Sequence, residues 1–194
     1  MSVQVVHEYG PCTLYDLDAL PEDGKRHELA DGWLTELPPS PWHDHAAGRL
    51  KDVLKAAAKT AGAEVCVAGG PNGIATPAGI RKPDAFVVPR DVARTAISGK
   101  VRTCYAGDLL LVAEVISPRS GSEQVDRVRK VREYARAGIP AYWIVDLEPG
   151  AKVTILTLRG EEYSLEAEIR AGHMLTTSQP FTISFDPAAL TELD

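Results

Sequence analysis

The sequence predicts an α/β protein: a mixed β-sheet flanked by helices, with extra antiparallel β-strands at its ends. Three observations predict it. The runs Leu109 to Ile116 and Tyr142 to Asp146 are almost continuously apolar, as strands are when both faces are covered. Between them, Glu123 to Ala137 is an amphipathic helix with Val125, Val128, Val131 and Ala135 turned inward. Further upstream, Trp42 to Ala61 carries Ala46, Leu50, Val53, Leu54 and Ala57 at three- and four-residue intervals.

The remaining elements follow in order. Thr13 and Asp16 form a helix-start signature, and Pro21 ends that short helix. Strands Arg26 to Ala30 and Trp33 to Leu37 flank Asp31-Gly32, the dipeptide a two-residue hairpin prefers because both positions need positive φ. Pro38-Pro39-Ser40-Pro41 is a stiff break before the helix at Trp42, which Gly62 closes. Glu64 to Ala68 and Ile74 to Thr76 read as strands around Gly69-Gly70-Pro71-Asn72-Gly73. That stretch lacks the lysine and hydroxyl residue of a phosphate-binding loop and reads as a turn. Asp84 to Val88 is a strand bounded by prolines, and residues 90 to 107 form a loop with room for a short helix. Ser117-Pro118 stops the apolar strand, and Gly138 caps the helix that follows. Lys152 to Leu158, Tyr163 to Ile169 and Phe181 to Phe185 are short antiparallel strands. Residues 1–194 thus read as one domain, its core at 42–146, with β-rich additions on either side.

Hydrophobic residues make up 44% and charged residues 25% of the 194, which excludes disorder and a disulfide-dense scaffold. No apolar run approaches the roughly 20 residues of a membrane span. No basic, then apolar, leader is visible, and Cys12, Cys66 and Cys104 are odd in number and far apart. These features predict a cytoplasmic protein. The net charge of −6 matches the excess within residues 161–194, where seven acidic groups face only Arg170. Basic residues concentrate between Arg81 and Arg102 and between Arg119 and Arg136. A local basic surface can serve a polyanion despite a distant acidic tail, because cellular salt screens beyond roughly 8 Å. Charge admits a nucleic-acid partner and does not demand one.

Glu114 interrupts an otherwise apolar strand. Burying a carboxylate there costs several kcal/mol unless a cation or strong hydrogen bonds offset it. Asp84 opens another strand after Lys82-Pro83. Two acids sharing a cleft would suit a divalent metal, and oxygen ligands with retained waters favour Mg²⁺ or Mn²⁺. Equally, Asp84 could cap a strand end while Glu114 pairs with an arginine.

Pro83-Asp84, Glu114-Val-Ile-Ser-Pro118, Asp126 and Lys130, Tyr134-Ala-Arg-Ala-Gly-Ile-Pro140 and Tyr142-Trp-Ile-Val-Asp146 together resemble the Uma-two family of restriction-endonuclease-like proteins, within the PD-(D/E)XK nuclease superfamily. His27-Glu-Leu-Ala-Asp-Gly32, Pro39-Ser-Pro-Trp-His43 and Gly48-Arg-Leu50 are similar too, and the likeness covers roughly residues 13–190. The resemblance implies a restriction-endonuclease-like fold and a metal-dependent endonuclease acting on DNA phosphodiesters. It also admits a homodimer, since superfamily nucleases often pair to cut two strands.

In such a site Asp84, Glu114 and the Val115 carbonyl would hold Mg²⁺ or Mn²⁺, and a lysine would stabilise the developing charge. The superfamily lysine lies two residues after the acid, where this chain has Ile116. The resemblance places its replacement at Lys130. The plainer reading makes Asp126 and Lys130 an i, i+4 surface pair worth about 0.2–0.5 kcal/mol. Glu28 matches a family acid, or is a solvated strand-end glutamate. His43 matches the family motif as a phosphate contact, and its spacing from His45 would also suit a metal pair. Arg49 and Arg127 are candidate nucleic-acid contacts, or solvated residues. Tyr134, Tyr142 and Trp143 read as core, and Lys82 and Arg81 stand next as alternative cations. The competing function is a catalytically inactive DNA-binding or interaction module that keeps the fold.

Overall fold

The computed structural model describes residues 5–6, 11–21, 25–37, 40–70, 72–101, 103–116 and 124–193. In chain order the first elements are β1 (Val5–Val6), α1 (Leu14–Asp18), β2 (Arg26–Ala30), β3 (Trp33–Leu37) and α2 (Pro41–Thr60). Next come β4 (Val65–Ala68), β5 (Gly73–Thr76), β6 (Gly79–Arg81), β7 (Ala85–Pro89) and α3 (Arg90–Ser98). Then follow β8 (Thr103–Tyr105), β9 (Leu111–Ile116), a π-helical segment at Val125–Lys130 and α4 (Val131–Arg136). The chain ends with β10 (Ala141–Asp146), β11 (Lys152–Arg159), β12 (Glu162–Arg170), β13 (Leu175–Thr177) and β14 (Ile183–Phe185).

The mixed α/β class holds, and the strands divide into two six-stranded sheets. One runs β1-β3-β2-β6-β5-β8, the other β12-β11-β10-β9-β7-β4, and β13 pairs with β14 in a separate ribbon. Thus the strand expected at Phe181 to Phe185 is shorter and leaves the main sheets. The three-residue strands β6, β8 and β13 are too short to show a period in sequence. Each sheet holds one parallel pair: β9 with β10, joined through α4, and β5 with β8.

Helix α2 starts at Ser40, whose hydroxyl accepts from the His43 amide at 3.4 Å, and ends as expected before Gly62. It buries Ala46, Leu50 and Leu54 against Ala85, Val87, Leu111, Ala113, Trp143 and Val145 of the second sheet. Val153 and Ile155 join the same core, so it extends past residue 146. The opposite face, with Phe86, Val112, Ile116, Tyr142 and Ile144, packs on Tyr134 of α4 and Ile74 of the first sheet. Asp31 and Gly32 both have positive φ, as the hairpin predicts.

The helix after β9 departs from its predicted phase. Its first turns are π-helical, and Val128 is 47% exposed while Asp126 and Lys130 are buried. The Tyr142 hydroxyl donates to the Asp126 carbonyl at 2.9 Å, a carbonyl that an α-helix would pair with the amide of residue 130. The predicted start at Glu123 and the stop at Ser117-Pro118 lie outside the described residues, as does the break at Pro38-Pro39. Among the described residues no helix is long and apolar enough to cross a membrane.

Gly69, φ +149°, lies against the backbone where β7 begins: a Cβ there would stand 2.2 Å from the Asp84 carbonyl oxygen. Gly69→Ala should therefore force Asp84 to move. Beyond the ~1–3 kcal/mol of an unfavourable φ, it should cost more than Gly62→Ala, where a Cβ meets open space. Urea unfolding of the two variants checks this, and equal losses would contradict it.

Candidate active site

Four parts of the fold converge on one buried ionic cluster: both sheets, α2, and the π-helical segment with α4. Strands β7 and β9 are antiparallel with Ala85 opposite Ala113, so continuing the register places Asp84 opposite Glu114. Both carboxylates are buried. The Val115 amide donates to Asp84 Oδ2 at 2.8 Å. A strand residue directs its N–H and C=O to the same edge, so the Val115 carbonyl faces that edge as well. Glu114 shares its strand face with Val112 and Ile116, the face covered by α4.

The π-helical segment supplies the cation. Lys130 Nζ lies 3.0 Å from Glu114 Oε1, 3.2 Å from Glu28 Oε1 and 3.0 Å from Asp126 Oδ1. All four residues are buried, so Asp126 and Lys130 are not the surface pair of the plainer sequence reading, nor is Glu28 a solvated strand end. Glu114 Oε1 also accepts from the Tyr134 hydroxyl at 2.7 Å, so a core tyrosine orients the acid. Behind this group, Arg81 bonds Glu28 Oε2 at 3.1 Å and both oxygens of Glu133. The Lys82 amide donates to Glu28 Oε1 at 2.8 Å.

His43 reaches the cluster from the first turn of α2. Its Nε2 lies 3.0 Å from Asp84 Oδ2, and its Nδ1 lies 3.3 Å from Asp44. His45 turns elsewhere, stacking on Trp42 and meeting the Glu192 carbonyl at 2.8 Å, so the two histidines do not form a metal pair. Arg49 donates to the Ala189 carbonyl at 3.0 Å, and Arg127 pairs with Asp146. Those bonds tie α2 to the C-terminal segment and the π-helical segment to β10. Tyr142 and Trp143 are core, as expected.

Charge and burial set the protonation states. Burial disfavours the Lys130 ammonium, but Asp126, Glu114 and Glu28 outweigh it and hold its pKa well above the ordinary value. Burial also works against the Glu28 carboxylate, yet Lys130 and Arg81 keep its pKa below the usual range. For Glu114, burial dominates, reinforced by Asp126, Asp84 and Glu28, and the pKa rises to about 8 despite Lys130. His43 is opposed by burial, but its hydrogen bond and charge interaction with Asp84 raise it to about 9.

Five acids, Asp84, Glu114, Asp126, Glu28 and Glu133, therefore face three cations, Lys130, Arg81 and His43. Fully ionised, these groups carry an excess of two negative charges. Among the described residues no three His, Cys, Asp or Glu side chains form a ready metal cage. The donors fit a hard divalent ion nonetheless. Asp84 Oδ1 and Glu114 Oε2 have no hydrogen-bond partner among the described residues and are not among the sealed, unpartnered atoms. Two carboxylate oxygens with a backbone carbonyl and water are the ligand set Mg²⁺ commonly takes.

A mixed sheet with helices on both faces and paired acids at adjacent strands defines a restriction-endonuclease-like α/β fold. The chain belongs to the Uma2 family, whose model, described as "Putative restriction endonuclease", matches residues 14–190. Among solved structures, a protein from Anabaena variabilis described as a putative nuclease belonging to DUF820 superposes with a TM-score of 0.73. It is 16% identical, and the match covers 93% of this chain and 98% of that one, a likeness of fold. No curated protein matches the sequence.

Sequence reasoning missed Glu133 and the Tyr134 hydroxyl, and it took Arg81 only as an alternative cation, not as the bridge between Glu28 and Glu133. The available signal was the spacing Asp126, Lys130, Glu133 and Tyr134, one helical face built from charged residues.

Glu114 and His43 hold protons in the fold that the unfolded chain releases near their ordinary values of 4.5 and 6.5. The folded state thus binds more protons, and stability must fall as pH rises. The His43 contribution is complete below about 6.5 and lost through about 9, and the Glu114 contribution is lost through about 8. In EDTA, the melting temperature should decline from pH 6.5 to 9, and Glu114→Gln should flatten the part below pH 8. A melting temperature that rises over this interval would contradict the assignment.

Proposed function

We propose that the protein is a divalent-metal-dependent endonuclease that hydrolyses DNA phosphodiester bonds. The observation that carries this reading is the lysine: a buried ammonium 3.0 Å from Glu114, delivered by a helix because position 116 on the strand is isoleucine. Family membership and the nuclease fold support it.

Asp84, Glu114 and the Val115 carbonyl would hold Mg²⁺ or Mn²⁺, and the ion would supply the positive charge that activates a water and offsets the phosphate charge. Lys130 stabilises the negative charge that builds on the phosphate oxygens. Glu28 and Asp126 keep its ammonium protonated and fix its position. Tyr134 holds Glu114 Oε1, which leaves the other oxygen for the ion. His43 positions Asp84 through Oδ2 in the same way, and as an imidazolium at the edge of the cluster it adds positive charge toward an entering phosphate. The carboxylates are compensated from behind by Arg81, so the cluster survives without substrate.

Purified protein incubated with plasmid and single-stranded DNA should cut in Mg²⁺ or Mn²⁺ and not in EDTA. Lys130→Ala should lower the rate by roughly 10²–10³-fold, as loss of one charge-stabilising donor does. Adding Ile116→Lys should restore part of it, since residue 116 leaves the strand on the Glu114 face. Circular dichroism must first show that the variants fold. Metal binding without cleavage of any DNA would favour the non-catalytic DNA-binding module, and an unaltered rate in Lys130→Ala would remove Lys130 from the chemistry.

A further inference from the structure

Glu28 faces the ionic cluster, so its neighbour His27 leaves the other face of β2. There it lines a cavity of about 450 Å³ between the first sheet and α1. His27 is only 9% exposed, yet among the described residues its ring nitrogens have no hydrogen-bond partner. Nor are they among the sealed, unpartnered atoms, so the ring is open to the cavity. A buried imidazole without a partner is uncommon, because burial without a hydrogen bond is costly.

The surroundings give the cavity a polarity. Lys82, Lys25 and His27 line it, with Asp18 the one acid among the described residues that do, and Leu17 and Ile80 are apolar members of the lining. Lys25 also meets Glu36 at 3.0 Å. The described lining thus combines lysines and an imidazole with apolar side chains, and the volume is in the range of small-ligand sites, about 300–1,000 Å³. A phosphate ester with a flat or apolar body suits both kinds of lining residue. A duplex is far too large.

We propose that this cavity is a nucleotide-binding site, separate from the Asp84–Glu114 centre, with the phosphate against His27 and Lys82 and the base against Leu17 and Ile80. The phosphate-ester chemistry comes from the cavity itself, and the choice of a nucleotide rests on the proposed nuclease function. The site lies one residue from the machinery on two strands. His27 precedes Glu28, and the Lys82 amide holds the same Glu28 oxygen that pairs with Lys130. Occupancy can thus influence how Glu28 holds Lys130, and by linkage the two sites must influence each other equally in binding.

The test is calorimetric titration of the full chain in EDTA with adenosine 5′-monophosphate, adenosine and a 5′-phosphorylated trinucleotide. The monophosphate should bind wild type. It should bind His27→Phe and Lys82→Ala at least tenfold more weakly, with Asp84→Asn unchanged. Two variants are used because His27→Phe alone could disturb the sheet, and melting curves establish that each folds. A trinucleotide bound tenfold tighter than the monophosphate assigns the site to the substrate strand, and equal affinity assigns it to free nucleotide. No binding to wild type, equal binding of adenosine, or loss in Asp84→Asn but not in the cavity variants would each overturn the proposal. Cleavage of DNA in Mg²⁺ is scored separately, so a protein that binds monophosphate without cutting sinks only the nuclease reading.

Discussion

Lys130 is enclosed by the carboxylates of Glu28, Glu114 and Asp126, all within 3.2 Å of its ammonium. Removing one partner of a buried pair leaves an uncompensated charge at a cost of roughly 3–5 kcal/mol. These four groups therefore fix one another, and the elements that carry them are fixed in turn. The π-helical segment is the local adjustment that turns Asp126 and Lys130 inward, while Tyr142 from β10 occupies the Asp126 carbonyl. Segments of this kind recur at functional sites because they re-aim side chains that a regular helix would expose.

The same charges join the two sheets, because Lys130 pairs with Glu28 of the first and Glu114 of the second. Glu28 comes from the N-terminal hairpin, Arg81 from β6 and Glu133 from α4, and Arg81 bridges the two acids. The hairpin is thus a structural part of the site and not an appendage to it. Glu114 and Asp84 sit where this scaffold ends and β7 meets β9. Each has one oxygen held by protein donors and the other without a described partner. Tyr134 and His43, on opposite sides of the second sheet's acids, do corresponding jobs for Glu114 and Asp84.

Much of this was legible in the sequence, for unequal reasons. Glu114 stood out because an acid amid Leu109 to Ile116 is anomalous, and Asp84 because it opens a proline-bounded strand. Helix α2, the Asp31-Gly32 hairpin and the strands at β9 and β10 followed from periodicity and turn chemistry. Lys130 and Glu28 rested on resemblance, since nothing in spacing distinguishes them from solvated charges. The valines at 125, 128 and 131 satisfied a helical period by themselves, which hid the π phase and the buried charged face. Glu133 and the bridging role of Arg81 were hidden for a related reason: the partners are 52 or more residues apart, and pairing at that distance has no local signature. The division into two sheets likewise depends on three-residue strands, too short to announce themselves.

We propose that Asp84 and Glu114 share a divalent ion, which would offset the negative charge the cluster carries once Glu114 is ionised. The most direct measurement is calorimetric titration of the metal-free protein with Mn²⁺, comparing wild type with Asp84→Asn. One ion should bind wild type in the millimolar range or tighter, and binding should vanish in Asp84→Asn while its circular dichroism spectrum stays unchanged. Wild type that binds no ion, or a folded Asp84→Asn that binds as wild type does, would contradict it.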